Sequence, residues 1–160
     1  MTVSKILPNL FITDWVSASR LRKEPDMVFI AVAPPAKGEE ARMHIATGMN
    51  PLYKPDYVFP ATDTDDPTLA TSPQNLKYIS DAAKQIAASI DAGKRVVVHC
   101  HQGASRSPLA VIKYLMNDRG ISFDDARKIV EKGEVGHEGG RRGLALNPAI
   151  ENALRKRRIA

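Results

Sequence analysis

The sequence predicts an α/β fold, a mostly parallel central sheet flanked by helices, with a tight polar loop between a central strand and the helix after it. Two observations carry this. Short apolar runs alternate with longer stretches of helical spacing, and the run Arg95-Val96-Val97-Val98 leads through His99 to Ser107 directly into Pro108-Leu109-Ala110-Val111-Ile112.

In chain order, Met27 to Ala33 is an unbroken apolar run that reads as a buried strand, and Pro34-Pro35-Ala36-Lys37-Gly38 breaks it. Glu39 to Thr47 follows as a short helix, and Tyr57-Val58-Phe59 as a second strand. Ser72 to Asp91 carries Leu76, Ile79, Ala83, Ile86 and Ile90 at helical spacing, with Gly93 just beyond its end. The Val96 strand comes next, then a helix expected to begin at Ser107-Pro108 with proline in its first position. A final helix is expected from about Asn147, with Val135 to Gly140 as a flexible connection ahead of it. A chain of 160 residues, without repeat, low-complexity tract or long linker, suits a single domain over 1–160 with a basic C-terminal end.

The loop His99-Cys100-His101-Gln102-Gly103-Ala104-Ser105-Arg106-Ser107 holds the only cysteine of the chain. A lone cysteine is usually a small buried hydrophobe. Here the strand, cysteine, glycine, arginine, hydroxyl and helix start share one short window, which a core cysteine does not need. A loop curling into a helix N-terminus aims backbone amides at one point, and the helix dipole favours an anion there. Cys100 at that point is expected to attack as the thiolate. Arg106 offers a planar fork for two phosphate oxygens, a geometry lysine lacks. Ser107 is expected to donate to the thiolate or to cap the helix, and His99 to close the strand, oriented by its neighbours.

His99 to Ser107 matches the His-Cys-x5-Arg-Ser/Thr motif and so resembles the cysteine-dependent protein phosphatases; Ser105-Arg106-Ser107-Pro108 looks like their dual-specificity branch. Ile6-Leu7-Pro8-Asn9-Leu10-Phe11-Ile12 is similar to that branch's opening, and Ile121 to Ala126 with Leu146-Asn147-Pro148-Ala149-Ile150 to its closing helices. The resemblance implies Cys100 as nucleophile, Arg106 as phosphate clamp, and His101, Gln102, Gly103, Ala104, Ser105 and Arg106 as phosphate-binding loop. It also implies an aspartate general acid upstream. Three compete for that role in Pro60-Ala61-Thr62-Asp63-Thr64-Asp65-Asp66-Pro67, and Asp63 fits the family's placement best. Aspartates in such a loop also make plain turn bonds.

Other chemistries find less support. His99, Cys100 and His101 are not expected to make a zinc site, because neighbours on a strand point to opposite faces and no second Cys/His cluster completes the sphere. The glycine that would complete a hydrolase elbow around Ser105 is absent, and so is a Gly-Lys-Ser/Thr loop. Rhodanese-like sulfur transfer does not call for Arg106-Ser107 in this register. The resemblance thus implies metal-independent and cofactor-free hydrolysis of phosphotyrosine, extending to phosphoserine and phosphothreonine because this chain is shorter than the tyrosine-specific members, whose added loops deepen the pocket. RNA 5′-phosphates and phosphoinositides are the alternative substrates, behind the first because Gln102, Ala104 and Ser105 add no cation; a non-catalytic phosphate-binding module comes last.

A net charge of +5 collects in Arg141-Arg142 and Arg155-Lys156-Arg157-Arg158. Nucleic acid is a conceivable partner, but a helix ending in cations explains the run more simply. The partner expected is a phosphorylated protein. One cysteine excludes an internal disulfide, and the opening Met1-Thr2-Val3-Ser4-Lys5 has no signal pattern, so a cytoplasmic location is expected.

Overall fold

In a computed structural model that describes residues 3–135 and 144–156, six strands form one sheet in the order β4-β3-β5-β2-β1-β6. The strands are β1 (Val3–Leu7), β2 (Leu10–Thr13), β3 (Met27–Ala31), β4 (Tyr57–Val58), β5 (Arg95–His99) and β6 (Glu134–Val135). The pairs β2/β5, β3/β5 and β3/β4 are parallel, as expected, whereas β1 runs antiparallel to both β2 and β6. The β1/β2 hairpin lies on the Ile6 to Ile12 stretch, turning at Pro8-Asn9. Val135, expected in a flexible connection, pairs with Ser4 instead; the remaining residues of that expected connection lie outside the described ones.

The helices are α1 (Trp15–Arg20), α2 (Gly38–Ala46), α3 (Pro67–Ala70), α4 (Pro73–Asp91), α5 (Arg106–Arg119), α6 (Phe123–Glu131) and α7 (Pro148–Lys156). Ser72 caps α4 by accepting a hydrogen bond from the Asn75 amide at 3.2 Å, and Pro73 fills the first turn, where a missing N–H costs nothing. Ser122 caps α6 in the same way. The start of α5 departs from expectation. Arg106 and Ser107 are already helical, so Pro108 is the third residue of the helix, and Ser105 rather than Ser107 occupies the cap position.

β5 is the middle of the structure because both its faces are covered. Val96 and Val98 join the large core with Ile12, Ile30, Ile79, Ile86, Leu109, Ile112 and Leu115. Val97 points the other way, onto Phe29 and Ala18. This period-two alternation in an all-apolar run is what a parallel strand between two helical layers requires. From Ser107 to Met116 every residue of α5 is buried, so this helix is packed on nearly all sides. At the far end of the strand, Arg95 grips Asp26 through two hydrogen bonds of 2.7 Å, fixing where β5 enters beside β3. Among the described residues, no helix is long and apolar enough to cross a membrane.

Candidate active site

The site grows from the C-terminal end of β5, where the neighbouring strands also end. Cys100 is the first residue past the strand and is 2 % exposed, packed with Trp15, Ala31 and Ala33. Its Sγ accepts a hydrogen bond from the Gly103 amide at 3.2 Å and lies 3.2 Å from the Ser107 hydroxyl. The Ser107 hydroxyl therefore faces the sulfur, and its alternative role as helix cap is not realised because the cap position falls at Ser105.

The turn back toward the sulfur depends on Gly103, whose φ is +73°. A Cβ there would stand 2.9 Å from the carbonyl oxygen of Thr13, so the end of β2 leaves room only for glycine. The carbonyls of the loop are tied down on its outer side. His101 O accepts from the Trp15 amide at 3.1 Å, Ala104 O from Ala145 at 3.1 Å and Ser105 O from Leu109 at 2.9 Å. A trans peptide carries its N–H opposite its carbonyl, so the amides of Gln102, Ser105 and Arg106 turn away from these outer partners. The Gln102 side chain is exposed, and Ala104 is half-buried.

Arg106 opens α5 and reaches across to the aspartate loop, where its Nη1 donates to the Ala61 carbonyl at 2.9 Å. Its Nε is buried and has no hydrogen-bond partner. A buried guanidinium N–H without an acceptor is costly.

The aspartates divide by their partners. Asp66 caps α3 by accepting from the Thr68 amide at 2.9 Å, a turn role. Asp63, two residues beyond the carbonyl that Arg106 holds, accepts from the Asn147 side-chain amide at 3.0 Å. Asp65 is exposed.

Two asparagines that the sequence did not single out organise this loop. Asn75 is buried; its Oδ1 accepts from the Thr62 amide at 2.8 Å while its Nδ2 donates to the carbonyls of Thr62 and Ala70. Asn147 donates from its backbone to Ser105 Oγ at 2.8 Å and from Nδ2 to Asp63 and to the Thr64 carbonyl. Its Oδ1 meanwhile accepts from Ala149 and Ile150 at the start of α7. Its place before Pro148 is a helix-start signal readable in the sequence; the reach to Asp63 is not.

His99 is fully buried behind the loop, with Trp15 edge-on at 4.7 Å between ring centroids. Its Nε2 shares a 2.6 Å hydrogen bond with the Tyr53 hydroxyl, and its Nδ1 is 3.4 Å from the Cys100 carbonyl. A carbonyl only accepts, which assigns the proton to Nδ1 and leaves Nε2 to receive the Tyr53 O–H. Burial pushes the imidazole down to about 4, and burial raises Tyr53, so both stay neutral at physiological pH. His101 stacks on Trp15 at 5.3 Å, and burial first, then the nearby Arg106 charge, lowers its pKa below 6.5.

A buried cysteine at the foot of a strand-to-helix loop, with an arginine opening the helix and a second loop of aspartates alongside, is the arrangement that the motif of the cysteine-dependent phosphatases implies. The chain belongs to the dual specificity phosphatase family, whose catalytic domain it matches over residues 54–149. It is 30% identical over 86 residues to dual specificity protein phosphatase 1B of Arabidopsis thaliana, covering 54% of this chain and 50% of that protein. With the tyrosine-protein phosphatase yvh1 of Schizosaccharomyces pombe it shares 31% identity over 126 residues, 78% of this chain and 34% of the other. The matched region thus spans at most about half the length of these relatives. The fold is that of human tyrosine phosphatase-like serine/threonine/tyrosine-interacting protein, at a TM-score of 0.68 and 23% identity over 96% of this chain and 93% of that one. DUSP15 gives a TM-score of 0.68 at 22% identity, covering 99% and 88%.

Proposed function

We propose that this protein hydrolyses phosphomonoesters on tyrosine, and on serine and threonine, of phosphorylated proteins through a cysteinyl-phosphate. The observation that supports this is the Cys100 sulfur, with the Gly103 N–H and Ser107 Oγ each 3.2 Å from it, in the same loop whose end, Arg106, keeps a buried Nε without a hydrogen-bond partner.

In the first step the Cys100 thiolate attacks phosphorus; the S–P bond forms as the P–O bond to the side chain breaks, and Asp63 gives its proton to the departing oxygen. Arg106 and the loop amides hold the equatorial oxygens, where charge is spread in the transition state. In the second step water attacks phosphorus and gives a proton to Asp63. The S–P bond breaks, returning the thiolate and releasing phosphate. Asn147 positions Asp63 for both proton transfers, and the Ser107 hydroxyl stabilises the sulfur each time it leaves as an anion.

The test is a substrate panel of phosphotyrosyl and phosphoseryl peptides, phosphoinositides and 5′-phosphorylated RNA, run with wild type and Cys100→Ser. Turnover of the peptides by wild type, and none by Cys100→Ser with phosphate binding retained, is the expected result. Preference for lipid or RNA would change the substrate class, and undiminished turnover by Cys100→Ser would overturn the covalent route.

A further inference from the structure

One cluster beside the loop has no role in the chemistry above. Helix α2 buries none of its residues, yet it sets Glu40 and His44 one turn apart on a single face. That face meets His101, whose ring lies 5.3 Å from the His44 ring. His101 Nε2 is 2.8 Å from the Pro34 carbonyl oxygen, and since that oxygen only accepts, Nε2 carries the hydrogen. The other nitrogen, Nδ1, then presents a lone pair. It lies 3.1 Å from a Glu40 carboxylate oxygen without hydrogen-bonding geometry, and it is buried. His44 Nδ1 is also buried with no hydrogen-bond partner.

Three electron-pair donors thus face one another, one ligand atom from each residue, all within 4.8 Å. A single proton between His101 and Glu40 would satisfy that pair and leave His44 Nδ1 unmet. A divalent cation satisfies all three. We propose that Glu40, His44 and His101 form a three-ligand site for a zinc-class divalent cation, joining α2 to the phosphate loop. Two imidazoles and one carboxylate suit zinc and its transition-metal neighbours; magnesium and calcium prefer all-oxygen shells. A ligating histidine ordinarily gives its other ring N–H to a carbonyl or carboxylate, and the far nitrogen of His101 is held in this way by the Pro34 carbonyl. Water fills the fourth position. This trio differs from the adjacent His99, Cys100 and His101, which strand geometry keeps apart, and it stands independently of the hydrolytic reading.

The experiment titrates Zn2+ into the metal-stripped 160-residue chain by isothermal calorimetry and records the visible spectrum of the Co2+ form. Wild type and Cys100→Ser are expected to bind one Zn2+ per chain with equal affinity. His44→Ala and Glu40→Gln should each weaken binding tenfold or more while circular dichroism stays unchanged, as expected for substitutions on a helix that buries none of its residues. Co2+ should show d–d bands without sulfur-to-metal charge transfer. Zinc should also raise the melting temperature of wild type and Cys100→Ser but not of His44→Ala. Binding lost in Cys100→Ser would place the metal on the thiolate and overturn the proposal, as would binding that both α2 variants leave intact, or no binding at all.

Discussion

The side-chain amide of Asn147 donates to Asp63 at 3.0 Å, joining the first turn of the last helix to the loop that faces Arg106. The same side chain caps α7 through its oxygen. One residue thus combines a stability role with a positioning role, and substitutions separate them. Asn147→Ala should lose the cap, about 1 kcal/mol by thermal or urea unfolding, together with the hold on Asp63. Asn147→Ser restores the cap but is too short to reach the carboxylate. It should melt near wild type while kcat on a poor-leaving-group phosphate stays down by about tenfold. With a good leaving group, which needs no proton, the deficit should vanish; a uniform loss on both substrates would refute the positioning role.

The three aspartates are distinguished by the kind of loss each causes. Asp63→Ala should lower kcat on phosphotyrosyl peptide by about 10²–10⁴ with KM little changed. Asp66→Ala removes the α3 cap seen at Thr68 and should cost about 1 kcal/mol of stability with turnover retained. If Asp65→Ala or Asp66→Ala shows the kinetic loss and Asp63→Ala does not, the proton comes from a different carboxylate.

Gly103→Ala should be severe. The substitution places a methyl 2.9 Å from a backbone oxygen at a φ of +73°, and neither can be relieved by rotating a side chain. A destabilisation of about 2 kcal/mol or more is expected, with loss of phosphate binding because the Gly103 amide no longer meets the sulfur. A variant that melts and binds phosphate as wild type would refute it.

Acid should weaken the fold through His99. Its imidazole protonates near 6.5 when free but only at about 4 when buried, so below 6.5 the unfolded chain binds the proton first. Stability is therefore full above pH 6.5 and declines as pH falls toward 4, by roughly 3 kcal/mol from this group. Urea midpoints measured across that interval for wild type and His99→Asn should diverge in slope, the variant being flatter. Parallel slopes would show that another group governs acid sensitivity.

Much of the architecture was legible because its signals are local. The apolar runs of β3 and β5, the serine and proline that start α4, and the loop from Cys100 to Arg106 all declare themselves within a few residues. The β1/β2 hairpin was not read as strands because four or five residues with mixed burial carry little periodicity. The start of α5 was misplaced because proline is tolerated anywhere in the first turn, so its position does not fix the boundary. Asn75 escaped notice, and Asn147 was legible only as a helix start, because their further partners, such as Thr62 and Asp63, lie far along the chain. Glu40 and His44 escaped for the same reason: an exposed helix gives no sign of the loop it faces.

β5 pairs on one side with a strand from the opening residues and on the other with β3. The Cys100 loop thus sits at the meeting of segments widely separated in the chain. Such non-local pairings form slowly, because loop-closure entropy must be overcome before they are rewarded. Cys100 is 2 % exposed in the native fold and is expected to stay open to solvent during folding until those pairings close over it. With one cysteine in the chain, the protein carries its own clock: the rate at which a thiol reagent loses access to that sulfur reports when the sheet has assembled.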